Sequence, residues 1–299
     1  MQDLAIFYGQ NRPDYYFTEG LPLLLTTALP FAALGLFQAL RPHPDRPHFP
    51  GYVERQTLHI LALAATTTTL AFSLIAHKET RFITPLLPLL HLLAAAPLAK
   101  FFHPFPLPAS HLKLLLLLLG VTLNVLLAAY VSTVHQRGVV DVTHWLRREA
   151  ETEAGGVRNT TVAFLMPCHS TPWRSHLVHP EIDAWALTCE PPVDVPRGER
   201  EGYLDEADVF YMHPGVWIDS NMQDRKTVFV DSSVELDGGE VEQDGRRPWP
   251  EYLVFFEHLE PVMNAVLEGT RYGECWRGFN SHWHDDWRRR GDVVVRCLR

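Results

Sequence analysis

A multi-span α-helical membrane region of about four spans, followed by a small lumenal α/β domain, is the fold that this 299-residue sequence predicts. Three observations carry the prediction. Long apolar stretches are confined to residues 1–134, the membrane domain, while residues 135–299 hold short branched and aromatic runs. Charge divides the same way: the first part balances at +2 and the second at −11, which the chain total of −9 conceals. The mean hydropathy of −0.06 is likewise an average over two unlike halves.

Taken in order, Leu21–Leu40, Thr57–Ala76, Phe82–Ala99 and Leu112–Val131 each approach the roughly 20 residues that cross a bilayer core. Pro85, Pro88 and Pro97 interrupt the third. Packed membrane helices tolerate proline because neighbours satisfy the freed backbone groups. Four spans put both ends on one side, with Arg41, Arg46, Arg55, Lys100 and Lys113 facing the cytosol by the positive-inside rule. The polar domain would then face a lumen. The sequon Asn159-Thr160-Thr161 and an even set of cysteines, Cys168, Cys189, Cys275 and Cys297, agree with an oxidising lumen. Two disulfides are possible there; buried thiols are the plain alternative. The acidic balance of this half excludes the basic stripe that a nucleic-acid partner requires.

Within the polar half, Thr161–Met166, Ala184–Thr188, Asp208–Met212, Leu253–Glu257 and Asp292–Cys297 read as buried strands bounded by Pro, Gly and Asp. Glu260–Leu267 has apolar residues at helical spacing, and Thr143–Thr152 reads as a helix leading into the domain. Alternating strands and helices predict a mixed or parallel sheet covered by helices.

Four groups could carry chemistry. His77-Lys78-Glu79-Thr80-Arg81-Phe82 packs ionisable side chains between two apolar segments. It reads either as a connector with snorkelling cations or as an anion site. In an anion site Lys78 is a point charge, Arg81 a planar fork, and Glu79 the group that orients them. Cys168-His169-Ser170 could be a nucleophile with its base, although neighbours in an extended segment point apart, and structural pairing of Cys168 with Cys189 competes. His282-Trp283-His284-Asp285-Asp286 offers metal-ligand types without a complete ligand set, so no metal is expected. Tyr8, Tyr15 and Tyr16 precede the first span, either as an interfacial belt or as the lining of a lipid and acceptor pocket. There is no glycine-rich phosphate loop, G-x-S-x-G or H-E-x-x-H, and no cofactor is expected.

Phe7-Tyr8-Gly9, Tyr15-Tyr16, Gly20-Leu21-Pro22 and His77–Phe82 together resemble the pattern of the glycosyltransferase family 22 membrane mannosyltransferases. Phe164–Trp173, with its Pro-Cys-His-Ser-Thr-Pro-Trp core, and Tyr203–Asp208 resemble a further signature of one branch. The resemblance implies transfer of a mannose, the third and α1,2-linked one of the glycosylphosphatidylinositol (GPI) anchor. The implied donor is dolichyl-phosphate mannose, the acceptor a GPI precursor glycolipid, and the place the endoplasmic reticulum membrane, crossed several times. His77, Lys78, Glu79 and Arg81 would then meet the donor phosphate. Family members also carry an essential acidic motif in a first lumenal loop, and none precedes these motifs here. The chain is therefore expected to be a C-terminal portion whose catalytic carboxylate lies upstream, and to be inactive alone. A non-catalytic, membrane-anchored lumenal binding or assembly subunit remains the alternative, followed by a membrane-tethered hydrolase centred on Cys168/His169 or His282/His284.

Overall fold

The computed structural model describes residues 7, 9–41, 51–104, 110–151, 155–200, 202–225 and 245–299. It divides into two compact units, Met1–Ala128 with Pro192–Arg200, and Ala129–Pro191 with Glu201–Arg299.

The first unit is built on four long helices: α1 (Tyr16–Leu40), α2 (Tyr52–Ser73), α3 (Thr80–Phe101) and α4 (His111–Thr133). Three helical runs among the described residues are long and apolar enough to cross a membrane: α1, α3, and His111–Ala150, whose apolar part is α4. The expected four spans thus become three among the described residues. The expected span Thr57–Ala76 does form a helix, but α2 begins with Glu54, Arg55 and Gln56 and carries Thr66–Thr69 at its centre. Those polar side chains lower its apolarity. The hydroxyls of Thr66, Thr67 and Thr69 donate back to Ala62, Leu63 and Ala65 carbonyls at 2.7–2.8 Å, so the helix satisfies them internally.

Helix α1 is not regular. Thr26 sits at φ 46°, a costly position for a β-branched residue, and interrupts the helical ladder. Asn124 of α4 bridges the interruption: its Oδ1 accepts from the Thr26 hydroxyl at 2.7 Å and its Nδ2 donates to Thr27 at 2.6 Å. Farther along, Gly35 lets α1 approach α3 closely, since a Cβ there would lie 1.9 Å from the Leu93 carbonyl oxygen. In contrast, no residue of α4 is buried, which leaves its leucines facing outward, as lipid allows.

The second unit is a five-stranded sheet in the order β2-β1-β3-β5-β4. Its strands are β1 (Thr160–Phe164), β2 (Ile182–Ala186), β3 (Tyr252–Phe256), β4 (Tyr272–Gly278) and β5 (Val293–Leu298). β1 runs parallel to both β2 and β3, whereas β5 runs antiparallel to β3 and β4. Alternate residues of the central strands serve two cores. Leu253 and Phe255 pack under α7 (Glu206–Met212), α8 (Pro214–Asn221) and α9 (Glu260–Val266). Val254 and Phe256 pack on the opposite side under α5 (Gly138–Ala150) and α6 (Trp173–Leu177). This two-sided burial explains why β3 is apolar without alternation.

Four of the five expected strands form, displaced by at most two residues. Asp208–Met212 does not: it lies in helix α7. Asp205 caps that helix by accepting from the Asp208 N–H at 2.7 Å, and Ala207, Phe210 and Tyr211 share the buried face. A short apolar run cannot distinguish a buried strand from one turn of amphipathic helix by period alone. β4 is the strand that the pattern hid, because Gly273, Glu274 and Arg277 break its apolar run at the sheet edge. The lead-in helix is Gly138–Ala150, longer at its start than expected. Cys168 pairs with Cys189 and Cys275 with Cys297, with Cα separations of 6.1 and 5.9 Å.

Gly35→Val should lower the thermal stability of the detergent-solubilised chain by about 1–3 kcal/mol or prevent insertion, because overpacking against a backbone cannot relax by rotamer change. Gly120→Ala should be nearly silent, since its Cβ would meet Thr27 only at 3.9 Å. Melting curves of the two variants check the pair.

Candidate functional site

The turn between α2 and α3 has to place two cations, a carboxylate and an imidazole within a few residues. Glu79 organises one side of it. Its Oε1 accepts from Arg81 at 2.8 Å and lies 2.8 Å from His77 Nε2, while its Oε2 also pairs with Arg81 Nε. Burial would raise the Glu79 carboxyl, but hydrogen bonds from His77 and Arg81 overcome it and hold the group below the ordinary carboxylate range. Glu79 thereby engages Arg81 through its Nε–Nη2 edge, and the side chain is 75% exposed. Phe82 packs edge-on to His77 at 5.9 Å.

Lys78 turns the other way. It is 4% exposed, and its Nζ donates to the Asn11 carbonyl at 3.3 Å. The Lys78 N–H is taken by Asn11 Oδ1 at 2.9 Å, and the Asn11 N–H by the Ala76 carbonyl at 3.0 Å. Asn11 thus stitches the opening segment to the turn. Lys78 also lines a cleft of about 560 Å³ with Asn11 and Arg12. Arg12 is held beside it by Asp14 and Glu19 at 3.5 and 3.3 Å. Of the residues singled out by sequence, the turn brings His77, Glu79 and Arg81 together and sets Lys78 apart. Asn11 and Arg12 were passed over; Arg12 was detectable as a lone cation within the aromatic opening segment.

The tyrosines divide as well. Tyr15 is half-buried with its hydroxyl 3.1 Å from Thr80 Oγ1. Tyr16 is fully buried, and Gly20 and Ile83 crowd its ring, so it offers core packing rather than an open face. Tyr8 lies outside the described residues.

In the second unit, the disulfide leaves Cys168 without a thiolate, which removes the nucleophile from the Cys168/His169 arrangement. The same pairing disposes of the cluster of Cys168, Cys189 and Asp205 as a metal site, although their ligand atoms converge within 4.8 Å. His282-Trp283-His284 forms a loop rather than a strand. His282 Nδ1 lies 2.6 Å from the Tyr130 hydroxyl, and Trp283 stacks on Tyr130 and His135 at 5.1 Å. The His284 imidazole is lowered by burial, then by nearby Arg290 and His135, and raised in part by Asp285. Asn159 is exposed just before β1.

Apolar helices bordered by a charged turn, joined to a disulfide-linked α/β unit, define a membrane protein with a polar domain. The model of the Alg9-like mannosyltransferase family matches residues 2–178, and the chain belongs to that family. The glycosyltransferase family read from the motifs is therefore borne out. Among similar proteins, GPI mannosyltransferase 3 of Aspergillus fumigatus is 41% identical over 99% of this chain and 42% of its own length. GPI mannosyltransferase 3 of Emericella nidulans is 44% identical over 99% and 47%. That of Saccharomyces cerevisiae is 33% identical over 98% and 45%. The chain spans about half the length of the curated relatives it matches. No solved structure matches it.

Asn11→Ala should destabilise the chain by about 1–3 kcal/mol, because it strands the Lys78 N–H away from an acceptor. Asn11→Asp keeps that acceptor and should cost clearly less. Thermal unfolding of the purified variants reads the difference.

Proposed function

We propose that this chain works as part of a mannosyltransferase of GPI-anchor biosynthesis, moving the third mannose, α1,2-linked, from dolichyl-phosphate mannose to the GPI precursor glycolipid. The observation that carries the reading is the 33–44% identity, over nearly the whole chain, to relatives that bear the name GPI mannosyltransferase 3. The proposed place is the endoplasmic reticulum membrane, with the α/β unit lumenal. Support for that side is the exposed sequon at Asn159 and the two disulfides. With three apolar helices in place of four, span parity no longer contributes.

In the reaction, the acceptor hydroxyl oxygen attacks mannose C1, the bond from C1 to the phosphate oxygen breaks, and its electron pair leaves on the lipid phosphate. The hydroxyl proton goes to a general base, a role suited to a carboxylate. Charge grows on the leaving phosphate, so fixed cations stabilise the transition state more than the ground state. Arg81, oriented by Glu79, supplies paired N–H donors from its outer edge, and His77 shares that carboxylate. Lys78 and Arg12 border the cleft on the other side of the turn. Tyr15 would flank the lipid. The hydrolase alternative has lost its Cys168 nucleophile, and no observation favours its His282/His284 centre.

Two measurements test this. A chimera in which this chain replaces the matching part of the Aspergillus fumigatus relative should transfer mannose from dolichyl-phosphate mannose to the GPI precursor. A well-inserted chimera that is inert contradicts the assignment. Within an active chimera, Arg81→Lys should reduce transfer about ten- to a hundredfold, nearly as far as Arg81→Ala, since lysine keeps the charge but loses the fork. Full activity of Arg81→Lys, normalised to inserted protein, would remove the fork from the mechanism.

A further inference from the structure

The α/β unit contains a cleft of about 750 Å³ beyond the carboxyl ends of β1 and β2, within the size range of small-molecule sites. Open α/β sheets hold ligands at the carboxyl ends of their strands. Two indoles, Trp173 and Trp185, line it. Arg247 reaches into it with a guanidinium held on three sides: 4.6 Å from the Trp185 ring, 5.4 Å from the Trp217 ring, and 2.8 Å from Glu206. Glu206 is itself anchored, accepting from the Thr188 N–H and hydroxyl at 2.8 and 2.7 Å. The second cation, Arg174, lies 5.0 Å from the Trp173 ring and is exposed, and Glu190, His169, Ser175 and Thr188 add to the polar lining.

The walls are braced. The Cys168–Cys189 disulfide ties the loop after β1 to the segment after β2, and both sulfurs belong to residues lining the cleft. Arg289 donates to the Cys168 carbonyl at 2.8 Å, and Thr171 to the Val139 carbonyl at 2.8 Å. A site whose side chains are held before the ligand arrives loses less entropy on binding.

We propose that this cleft binds a short neutral oligosaccharide. A sugar ring presents a flat C–H face, which packs on an indole, and a rim of hydroxyls that both donate and accept. The cleft supplies indoles, guanidinium donors and a carboxylate acceptor together. Its charge argues against a phosphate-bearing ligand: Arg247 is matched by Glu206, and Glu190 offsets Arg174. The choice of mannose as the sugar rests on the mannosyltransferase reading; the presence of a glycan site does not.

The full chain in lipid nanodiscs is titrated with α1,2-mannobiose, with mannose 6-phosphate and inorganic phosphate as comparators, by calorimetry and tryptophan fluorescence. Saturable mannobiose binding is expected, weakened at least tenfold by Trp185→Ala, partly restored by Trp185→Phe, and weakened severalfold by Arg174→Ala. Arg174 is exposed, so its variant tests the cleft without threatening the fold. Trp283→Ala, an exposed tryptophan outside the cleft, should change nothing. Absence of saturable binding, binding indifferent to both Trp185→Ala and Arg174→Ala, or tighter binding of either phosphate compound overturns the proposal. The titration involves no donor and no transfer, so its failure leaves the transfer assignment standing, and a failed transfer assay leaves a positive titration standing.

Discussion

The turn between α2 and α3 must satisfy its polar groups at the border of an apolar bundle, and the geometry of the first unit follows from how it does so. A backbone N–H or a charge left unpaired in such a place costs several kcal/mol, so partners have to come from nearby chain. Asn11 meets the backbone demand, binding the turn at the Ala76 carbonyl and the Lys78 N–H. Glu79 meets the charge demand, gathering His77 and Arg81 on one carboxylate. The two solutions point in opposite directions, which is why neighbouring cations end up on different sides of the turn. Any anion approaching Arg81 meets a guanidinium already oriented by a carboxylate. That arrangement sacrifices some positive potential for a fixed direction, a useful exchange where orientation determines the strength of a forked hydrogen bond.

The second unit obeys a different constraint. Its central strand β3 is buried on both faces, so helices must cover the sheet above and below. Once they do, the loops at the carboxyl ends of β1 and β2 are the part of the sheet left for ligands. One disulfide joins the loops beside β1 and β2, and the other joins the edge pair β4–β5. In the first case the cross-link also shapes the cleft wall, so a bond that stabilises the domain keeps the indoles and guanidinium in register.

The motifs that brought the family to light are not all equally close to chemistry. Tyr16 and Gly20 are a packing pair, with the glycine leaving room for the ring and for Ile83. The Cys-His-Ser-Thr-Pro-Trp block is a braced loop: Cys168 is cross-linked, Ser170 donates to the Pro167 carbonyl at 2.5 Å, and Thr171 reaches α5. Trp173 at its end is the block's one indole lining the cleft, stacked on Phe164 at 6.0 Å. A recurring motif can therefore record how a loop is held as readily as what it does.

The sequence by itself determined the division into an apolar helical part and an acidic α/β part, four of the five strands, the helix after β3, and the membership in a mannosyltransferase family. All but the last rest on local composition and period, which a single chain displays directly; the family rests on the resemblance of its motifs. It also marked the charged turn, because four ionisable residues between apolar runs need a physical reason to be there. Tertiary structure alone decided that Asp208–Met212 is a helix, since the Asp205 cap and the packing of Phe210 and Tyr211 outweigh strand propensity. It alone decided that Tyr16 is core and that Asn11 and Arg12 belong with Lys78. The cleft with Arg247 joins residues from strand ends and a distant loop, with Glu206 behind them. Contacts of that kind depend on which chain segments meet across a sheet, and no periodicity along the sequence encodes the meeting.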